Sequence, residues 1–388
     1  MLIDTTLREG AQLYGASFSL EERVRIIKAL VAVGLEEIEV GWIGMEGLLA
    51  CAEIIRKDFH AHNDHKAHTT FSVWSPCREQ SVKKAADLGF TRINLGVPVS
   101  HKHMSKRLGM NRAELLERVQ SVVRYGHALG LEVSVGMEDV SRADRAFSLE
   151  VAKCAEEAGA FRVRLPDTVG ILNPLEMQGL IAYFKANLTC TIAVHCHNDF
   201  GMATANATTA LMSGADYADV SVLGIGERAG IAALEEVAAY MNIRSQACMA
   251  KGPRKPPTHY NIHNISELCA LVARAAKISP TRTKAIVGSD IFSCESGLHV
   301  HGLAQDNSLF EPFHPETIGA TRRIAYGEKS GRGAVLHALE NSPNSIPQTL
   351  SPAEIYTLLQ SVRQLANELG RPLMQEEVVS LAQKEIVQ

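Results

Sequence analysis

Ser19-Leu20-Glu21-Glu22-Arg23-Val24-Arg25-Ile26-Ile27-Lys28-Ala29-Leu30-Val31-Ala32-Val33-Gly34-Leu35-Glu36-Glu37-Ile38-Glu39-Val40 is the stretch on which the fold turns. Ser19 has the chemistry of a helix N-cap, and Glu22 three residues later completes a capping box. Val24, Ile27, Ala29, Leu30 and Val33 recur at helical spacing, and Gly34 ends the run. Glu37-Ile38-Glu39-Val40 then reads as a short strand. The same ending just before a strand recurs at Leu88-Gly89, Leu129-Gly130, Ala158-Gly159 and Ser213-Gly214. Further candidate strands begin at Leu2-Ile3-Asp4, Ala67-His68-Thr69-Thr70-Phe71, Arg92-Ile93-Asn94-Leu95, Glu132-Val133-Ser134-Val135, Phe161-Arg162-Val163-Arg164, Thr191-Ile192-Ala193-Val194 and Ala218-Asp219-Val220-Ser221. A repeated βα unit of about 30 residues implies parallel strands with right-handed crossovers. Eight such units predict an α/β fold closed as a (β/α)8 TIM barrel, with an open doubly wound sheet as the alternative. The strand interiors read as apolar, with polar groups gathered at one rim.

Working outward, the barrel is expected over residues 1–248. A basic, Pro-rich connector, Lys251-Gly252-Pro253-Arg254-Lys255-Pro256-Pro257, leads to a smaller, mostly helical C-terminal region. That region divides into a subdomain over 259–340 and a terminal helical segment over 350–388, with Ile355, Leu358, Leu359, Val362 and Leu365 on one face. The 388 residues are 46% apolar and 21% charged, which excludes a disordered chain. Lys and Arg number 39 against 43 Asp and Glu, a net charge of −4 that gives no support to a nucleic-acid partner. No apolar run approaches the roughly 20 residues that span a bilayer, so no membrane partner is expected. Met1-Leu2-Ile3-Asp4 carries no basic leader. Eight cysteines without a C-x-x-C spacing read as reduced, cytoplasmic and mostly core.

In such a barrel the chemistry sits at the carboxyl ends of the strands. That rule selects Arg8, Glu9 and Gln12 after the first strand and His68 or its neighbours after the third. It also selects Glu138 and Asp139 after the fifth, Asp167 and Thr168 after the sixth, and His195 and His197 after the seventh. Alternate residues of a strand face one side, so His195 and His197 can reach one metal ion. The spacing alone is weak, because His-x-His also occurs at His60/His62, His101/His103 and His299/His301. A pair of hydrogen-bonded core histidines is the competing reading. A carboxylate from another strand, such as Glu9, would complete a two-His, one-carboxylate site with open positions for a chelating substrate. Mg2+ or Mn2+ would suit a 2-oxo carboxylate, and imidazoles also admit Zn2+ or Co2+. Arg8 could stabilise charge on a polarised carbonyl oxygen, or could simply form a rim ion pair. Cys196 is expected to point away and pack, and Trp42 and Met137 read as packing residues.

Four strings carry a resemblance. Asp4-Thr5-Thr6-Leu7-Arg8-Glu9-Gly10-Ala11-Gln12, His195-Cys196-His197-Asn198-Asp199-Phe200-Gly201, Gly224-Ile225-Gly226-Glu227-Arg228-Ala229-Gly230 and Glu295-Ser296-Gly297-Leu298-His299-Val300-His301-Gly302 resemble, in order, motifs of the metal-dependent lyase and Claisen-condensing barrel superfamily. The last string is similar to one found in its acyltransferase branch, the homocitrate synthase and 2-isopropylmalate synthase family. The resemblance implies a cytoplasmic homodimer that condenses acetyl-CoA with a 2-oxo acid and hydrolyses the thioester. It implies Glu9, His195 and His197 as ligands of one divalent metal and Arg8 as the group at the keto oxygen. Gln12, His68, Glu138 and Thr168 become pocket positions, with Glu138 a catalytic candidate. His299 becomes the candidate for removing the methyl proton, placed by the C-terminal region of a partner subunit. Arg322 and Arg323 could meet an acidic group of the substrate or of CoA.

Ser134-Val135-Gly136-Met137-Glu138-Asp139-Val140-Ser141-Arg142-Ala143-Asp144 is most similar to the short homocitrate synthases associated with nitrogen fixation. That makes 2-oxoglutarate the expected acceptor. Ile231 stands where many relatives have Asn, so another acceptor, giving 2-phosphonomethylmalate, citrate, citramalate or isopropylmalate, is the alternative. A carbon–carbon lyase of the same superfamily is a third reading.

Overall fold

The computed structural model describes residues 1–60, 69–248, 260–295, 302–303, 306–340 and 350–386. The chain divides into two compact units, Met1–Pro280 and Thr281–Gln388. In the first, eight parallel strands follow one another in sequence order: β1 (Leu2–Asp4), β2 (Glu37–Trp42), β3 (Thr70–Pro76), β4 (Arg92–Pro98), β5 (Glu132–Glu138), β6 (Arg162–Asp167), β7 (Thr191–Cys196) and β8 (Tyr217–Val220). β8 pairs back onto β1, with Leu2 opposite Ala218 and Asp4 opposite Val220, so the sheet closes into a barrel and is not an open wound sheet.

The helix Leu20–Val33 shows why the repeat is regular. Ser19 Oγ accepts from Glu22 N at 3.2 Å, and Glu22 Oε2 accepts from Ser19 N at 2.8 Å, so the capping box satisfies two orphan donors. Asn173 and Glu176 make the same box where Pro174 opens the helix Pro174–Lys185. The five glycines expected to end helices all have positive φ, from +77° to +110°, where a Cβ would be strained. The buried stripe of Leu20–Val33 is Ile26, Ile27, Leu30 and Val33. Val24 and Ala29, expected on it, are only half-buried.

One expectation fails outright: the barrel interior is not apolar. Glu37 and Glu39 on β2, Asn94 on β4, Arg162 and Arg164 on β6 and Asp219 on β8 are at most 4% exposed. The apolar residues of β2, Ile38 and Val40, are the alternate ones, so by the period of two they form the face that the helices cover. The charges are tolerated inside because they are paired. Arg162 Nη1 and Nη2 bond Glu37 Oε2 (2.8 Å) and Oε1 (3.0 Å), Nη2 also bonds Asn94 Oδ1 (2.9 Å), and Nε bonds Ser134 Oγ (3.1 Å). Arg92 Nη1 adds a second cation to Glu37 at 2.7 Å. Burial opposes ionisation of Glu37, but Arg162 and Arg92 outweigh it and hold its carboxyl far below the ordinary range.

β3 also starts later than expected. The described strand starts at Thr70 and is buried from Phe71 to Val73. His68, expected at the rim after this strand, lies outside the described residues.

The first unit continues past the barrel. The helix Ile265–Ala276, expected within 259–340, belongs to it; just before it, Asn261 N donates to Val33 O at 2.8 Å. The second unit has its own core. Leu358 and Val362 of the helix Pro352–Leu369 pack with Val335 of the helix Arg332–Glu340 and Val378 of the helix Gln375–Ile386. Among the described residues no helix is long and apolar enough to cross a membrane.

Candidate active site

β1 ends at Asp4, and the turn that follows brings Arg8 and Glu9 to the barrel mouth. The Asp4 carboxylate accepts from Thr6 N (2.9 Å) and Thr6 Oγ1 (2.8 Å), and Arg8 N and Gly10 N both donate to Thr5 O. At the end of β7 the period of two turns His195 and His197 to the same side. Cys196, between them, is fully buried, and burial pushes its thiol well above the ordinary range.

Glu9, His195 and His197 converge, with ligand atoms all within 4.8 Å of one another. The two Nε2 atoms are 3.3 Å apart, and His195 Nε2 is 3.9 Å from Glu9 Oε2. His195 Nδ1 meets Asp219 Oδ2 at 2.8 Å. A carboxylate there holds the proton on Nδ1 and leaves the Nε2 lone pair free for a cation. Burial, with His197 alongside, presses the pKa of His195 well below its ordinary value, and burial also lowers His197. Both rings are thus neutral near pH 7, the state that binds metal. Burial opposes the ionised Glu9, yet Arg8 and the two imidazoles outweigh it and hold its carboxyl below the usual range. An ionised carboxylate beside two neutral imidazoles with convergent lone pairs can hold a divalent cation.

This packing requires glycine after β8. Glu227 N donates to Glu9 Oε1 at 3.1 Å, and a Cβ on Gly226 would lie 3.1 Å from Glu9 Cγ. Gly230 has φ +82°, and a Cβ there would meet Gly224 O at 1.9 Å. Gly230→Ala is expected to destabilise the protein by roughly 1–3 kcal/mol and to weaken cation uptake. Urea denaturation and metal titration of the variant check this; wild-type values in both would refute the constraint.

A cavity of about 360 Å3 opens over the triad. Arg8 is held by Glu9 and Glu39 and lies 5.9 Å from the Trp74 ring. Burial disfavours its charge, but Glu39 and Glu9 outweigh that and raise its pKa above the ordinary arginine value. Glu138 pairs with Arg107. Gly96 makes room for it, since a Cβ there would lie 2.5 Å from Glu138 Oε1 and 2.7 Å from Trp74 Cζ2. Thr168 Oγ1 accepts from Asp139 N at 2.8 Å, so its own hydroxyl proton is left for a ligand. Asp139 is not in a solvated loop: it is fully buried and bonds Arg142 at 2.8 and 2.9 Å.

With this geometry in place, comparison with known proteins is decisive. A family model described as HMGL-like matches residues 1–272, and one described as "Homocitrate synthase post-HMGL domain-like" matches 286–370. The chain belongs to the HMGL-like family. It is 37% identical to homocitrate synthase 1 of Nostoc sp., covering 99% of this chain and 97% of that protein. It is 34% identical to 2-isopropylmalate synthase 2 of Caldanaerobacter subterraneus, covering 100% and 96%. It is 33% identical to 2-phosphonomethylmalate synthase of Streptomyces rubellomurinus, covering 99% and 98%.

In this HMGL-like barrel the cavity gathers Arg8, Glu9, Gln12, Glu138 and Thr168 with His195 and His197. His68 and His299 lie outside the described residues. Arg322 and Arg323 belong to the second unit, where Glu311 holds Arg322 through two bonds of 2.6 Å. Ile231 bridges to His197 through the backbone, with its apolar side chain buried. Sequence reasoning missed Trp74, Asp219, Glu39 and Arg164, and took Trp42 for packing although it lines the cavity. The available signal was charge at alternate strand positions: Glu37 and Glu39, then Arg162 and Arg164, must share a face.

Proposed function

We propose that this protein condenses the methyl carbon of acetyl-CoA with 2-oxoglutarate and hydrolyses the thioester to release homocitrate and CoA. The observation that carries the reading is the convergence of Glu9, His195 and His197 beside Arg8 over a cavity. Similarity to homocitrate, 2-isopropylmalate and 2-phosphonomethylmalate synthases supports a 2-oxo acid synthase, and the matched post-HMGL region favours it over a lyase. Glu9, His195 and His197 would hold one divalent metal, Mg2+, Mn2+, Zn2+ or Co2+. Bound there, such an ion supplies Lewis acidity to the 2-oxo carboxylate end of the acceptor.

The chain's own residues supply the rest. Asp219 fixes the tautomer of His195. Arg8, permanently charged and clamped by two carboxylates, is preorganised for negative charge on the keto oxygen as the new bond forms. The Thr168 hydroxyl and Gln12 can hydrogen-bond acceptor oxygens and orient the carbonyl for attack. A base must take the methyl proton of acetyl-CoA; Glu138 is the candidate within the described cavity, and His299 is the other. A homodimer and a cytoplasmic setting complete the proposal.

The test is thiol release from acetyl-CoA with a panel of acceptors: 2-oxoglutarate, oxaloacetate, 3-phosphonopyruvate, pyruvate and 2-oxoisovalerate. Fastest release with 2-oxoglutarate is expected. A faster rate with another acceptor would move the protein to that synthase, and no release with any of them would remove the acyltransfer reading.

A further inference from the structure

Two arginines stand two residues apart on β6 and are used differently. Arg162 makes bonds through Nε, Nη1 and Nη2. Arg164 is 4% exposed and lines the cavity, yet only its Nη1 is engaged, by Asp219 Oδ2 at 3.1 Å and Glu39 Oε1 at 3.4 Å. Its Nε and Nη2 are buried and have no hydrogen-bond partner among the described residues. Buried donors are almost always satisfied, and those two nitrogens form one edge of the guanidinium, the fork that takes a carboxylate in two parallel bonds.

Glycine on the neighbouring strand leaves space beside the Arg164 side chain. Arg164 pairs in register with Gly136 on β5, and Gly136 pairs with Gly96 on β4. Paired residues of parallel strands face the same side, so two neighbouring strands present no side chain at the level of Arg164. A Cβ on Gly136 would lie 3.8 Å from Arg164 Cβ and Cδ, against its stem. Pro166, two residues further along β6, pairs with His195, so the backbone at Arg164 sits about 6–7 Å deeper than the triad level. The cavity thus has cation ligands and Arg8 at its mouth and a second, partly unbonded cation beneath.

We infer that Arg164 receives the distal acidic group, carboxylate or phosphonate, of a dianionic 2-oxo acid, and that Gly136 leaves the space for its approach. This rests on reading the cavity as a 2-oxo acid site and deepens that reading, because an aliphatic tail would leave the Arg164 donors unpaired. The acceptor's 2-oxo carboxylate end lies with Glu9, His195 and His197, and its far end with Arg164.

Trp42 and Trp74, the only two tryptophans of the chain, both line this cavity, so intrinsic fluorescence reports occupancy without turnover. The experiment titrates 2-oxoglutarate, oxaloacetate, 3-phosphonopyruvate and the uncharged-tail analogue 2-oxovalerate into wild type, R164M, R164K and G136L, with Mg2+ present. Wild type is expected to bind at least one dianionic acid about 100-fold more tightly than 2-oxovalerate. The best of the three identifies the distal group and its reach. R164M should lose that margin and keep 2-oxovalerate affinity within about threefold, and R164K should retain part of the margin. G136L keeps the Arg164 guanidinium itself and should lose the margin by blocking approach, which covers the case of a misfolded R164M. Equal wild-type affinities, or an unchanged margin in R164M or G136L, overturns the inference. A margin without CoA release leaves it standing and removes the acyltransfer reading; CoA release without a margin does the reverse.

Discussion

Glu9→Gln is expected to abolish stable binding of one divalent ion per chain and to reduce acetyl-CoA turnover to background. Glu9 is the anionic member of the triad, and the amide that replaces it carries no charge. Losing a group that merely orients a ligand costs about 10–100-fold in metal affinity, so losing the ligand itself should exceed 100-fold. Asp219→Asn is the graded comparison. Asp219 meets His195 Nδ1 at 2.8 Å and does not belong to the triad. That variant should lie in the 10–100-fold range and recover turnover at saturating metal, whereas Glu9→Gln should not. Metal analysis after dialysis, paired with turnover against added Mn2+ or Zn2+, separates the two. Wild-type metal content in Glu9→Gln would remove Glu9 from the site.

The second large effect is on stability. Arg162→Met is expected to destabilise the protein by about 3–5 kcal/mol, the range for breaking a buried ion pair from one side. Arg162 is fully buried and both oxygens of Glu37 rest on it. The double variant Arg162→Met/Glu37→Gln should recover part of the loss, because no buried carboxylate is then left without its main partner. The pH dependence has a definite sign. The folded pKa of Glu37 lies below its ordinary value of 4.5. Its contribution is therefore complete above the ordinary glutamate range and disappears as pH falls below it. Removing Arg162 raises that folded pKa, so the variant should unfold at a higher pH on acid titration. Urea denaturation across a pH series measures both. A loss under about 1 kcal/mol would show that Arg92 Nη1 and the Asn94 amide, which donates to Glu37 Oε1 at 3.0 Å, suffice for Glu37.

Much of this was legible in one dimension. Seven of the eight strands begin within one residue of where the sequence places them, and five of these, β2, β4, β5, β6 and β8, follow a helical run closed by a positive-φ glycine. The exception is β3, which the sequence places from Ala67 and which begins at Thr70. The cluster of Glu9, His195 and His197 was legible because two features coincide at one level of the barrel: alternate histidines ending β7 and a carboxylate after β1. The interior network was less so. Glu37-x-Glu39 and Arg162-x-Arg164 share a face by periodicity, but 125 residues separate Glu37 from Arg162, and nothing local announces that they meet.

By itself, then, the order of residues determined eight parallel strands in succession, since capping chemistry, glycine positions and β-branched runs are local and recur along the chain. It also determined which rim bears the chemistry, because parallel strands all end on one side. Tertiary structure alone decided the rest: that charged residues fill the interior, that Asp219 orients His195, and that Arg162 bonds through all three nitrogens while Arg164 does not. Those outcomes depend on which side chains meet across the barrel axis and on which neighbours are glycine, and both are set by closure and register rather than by adjacency along the chain.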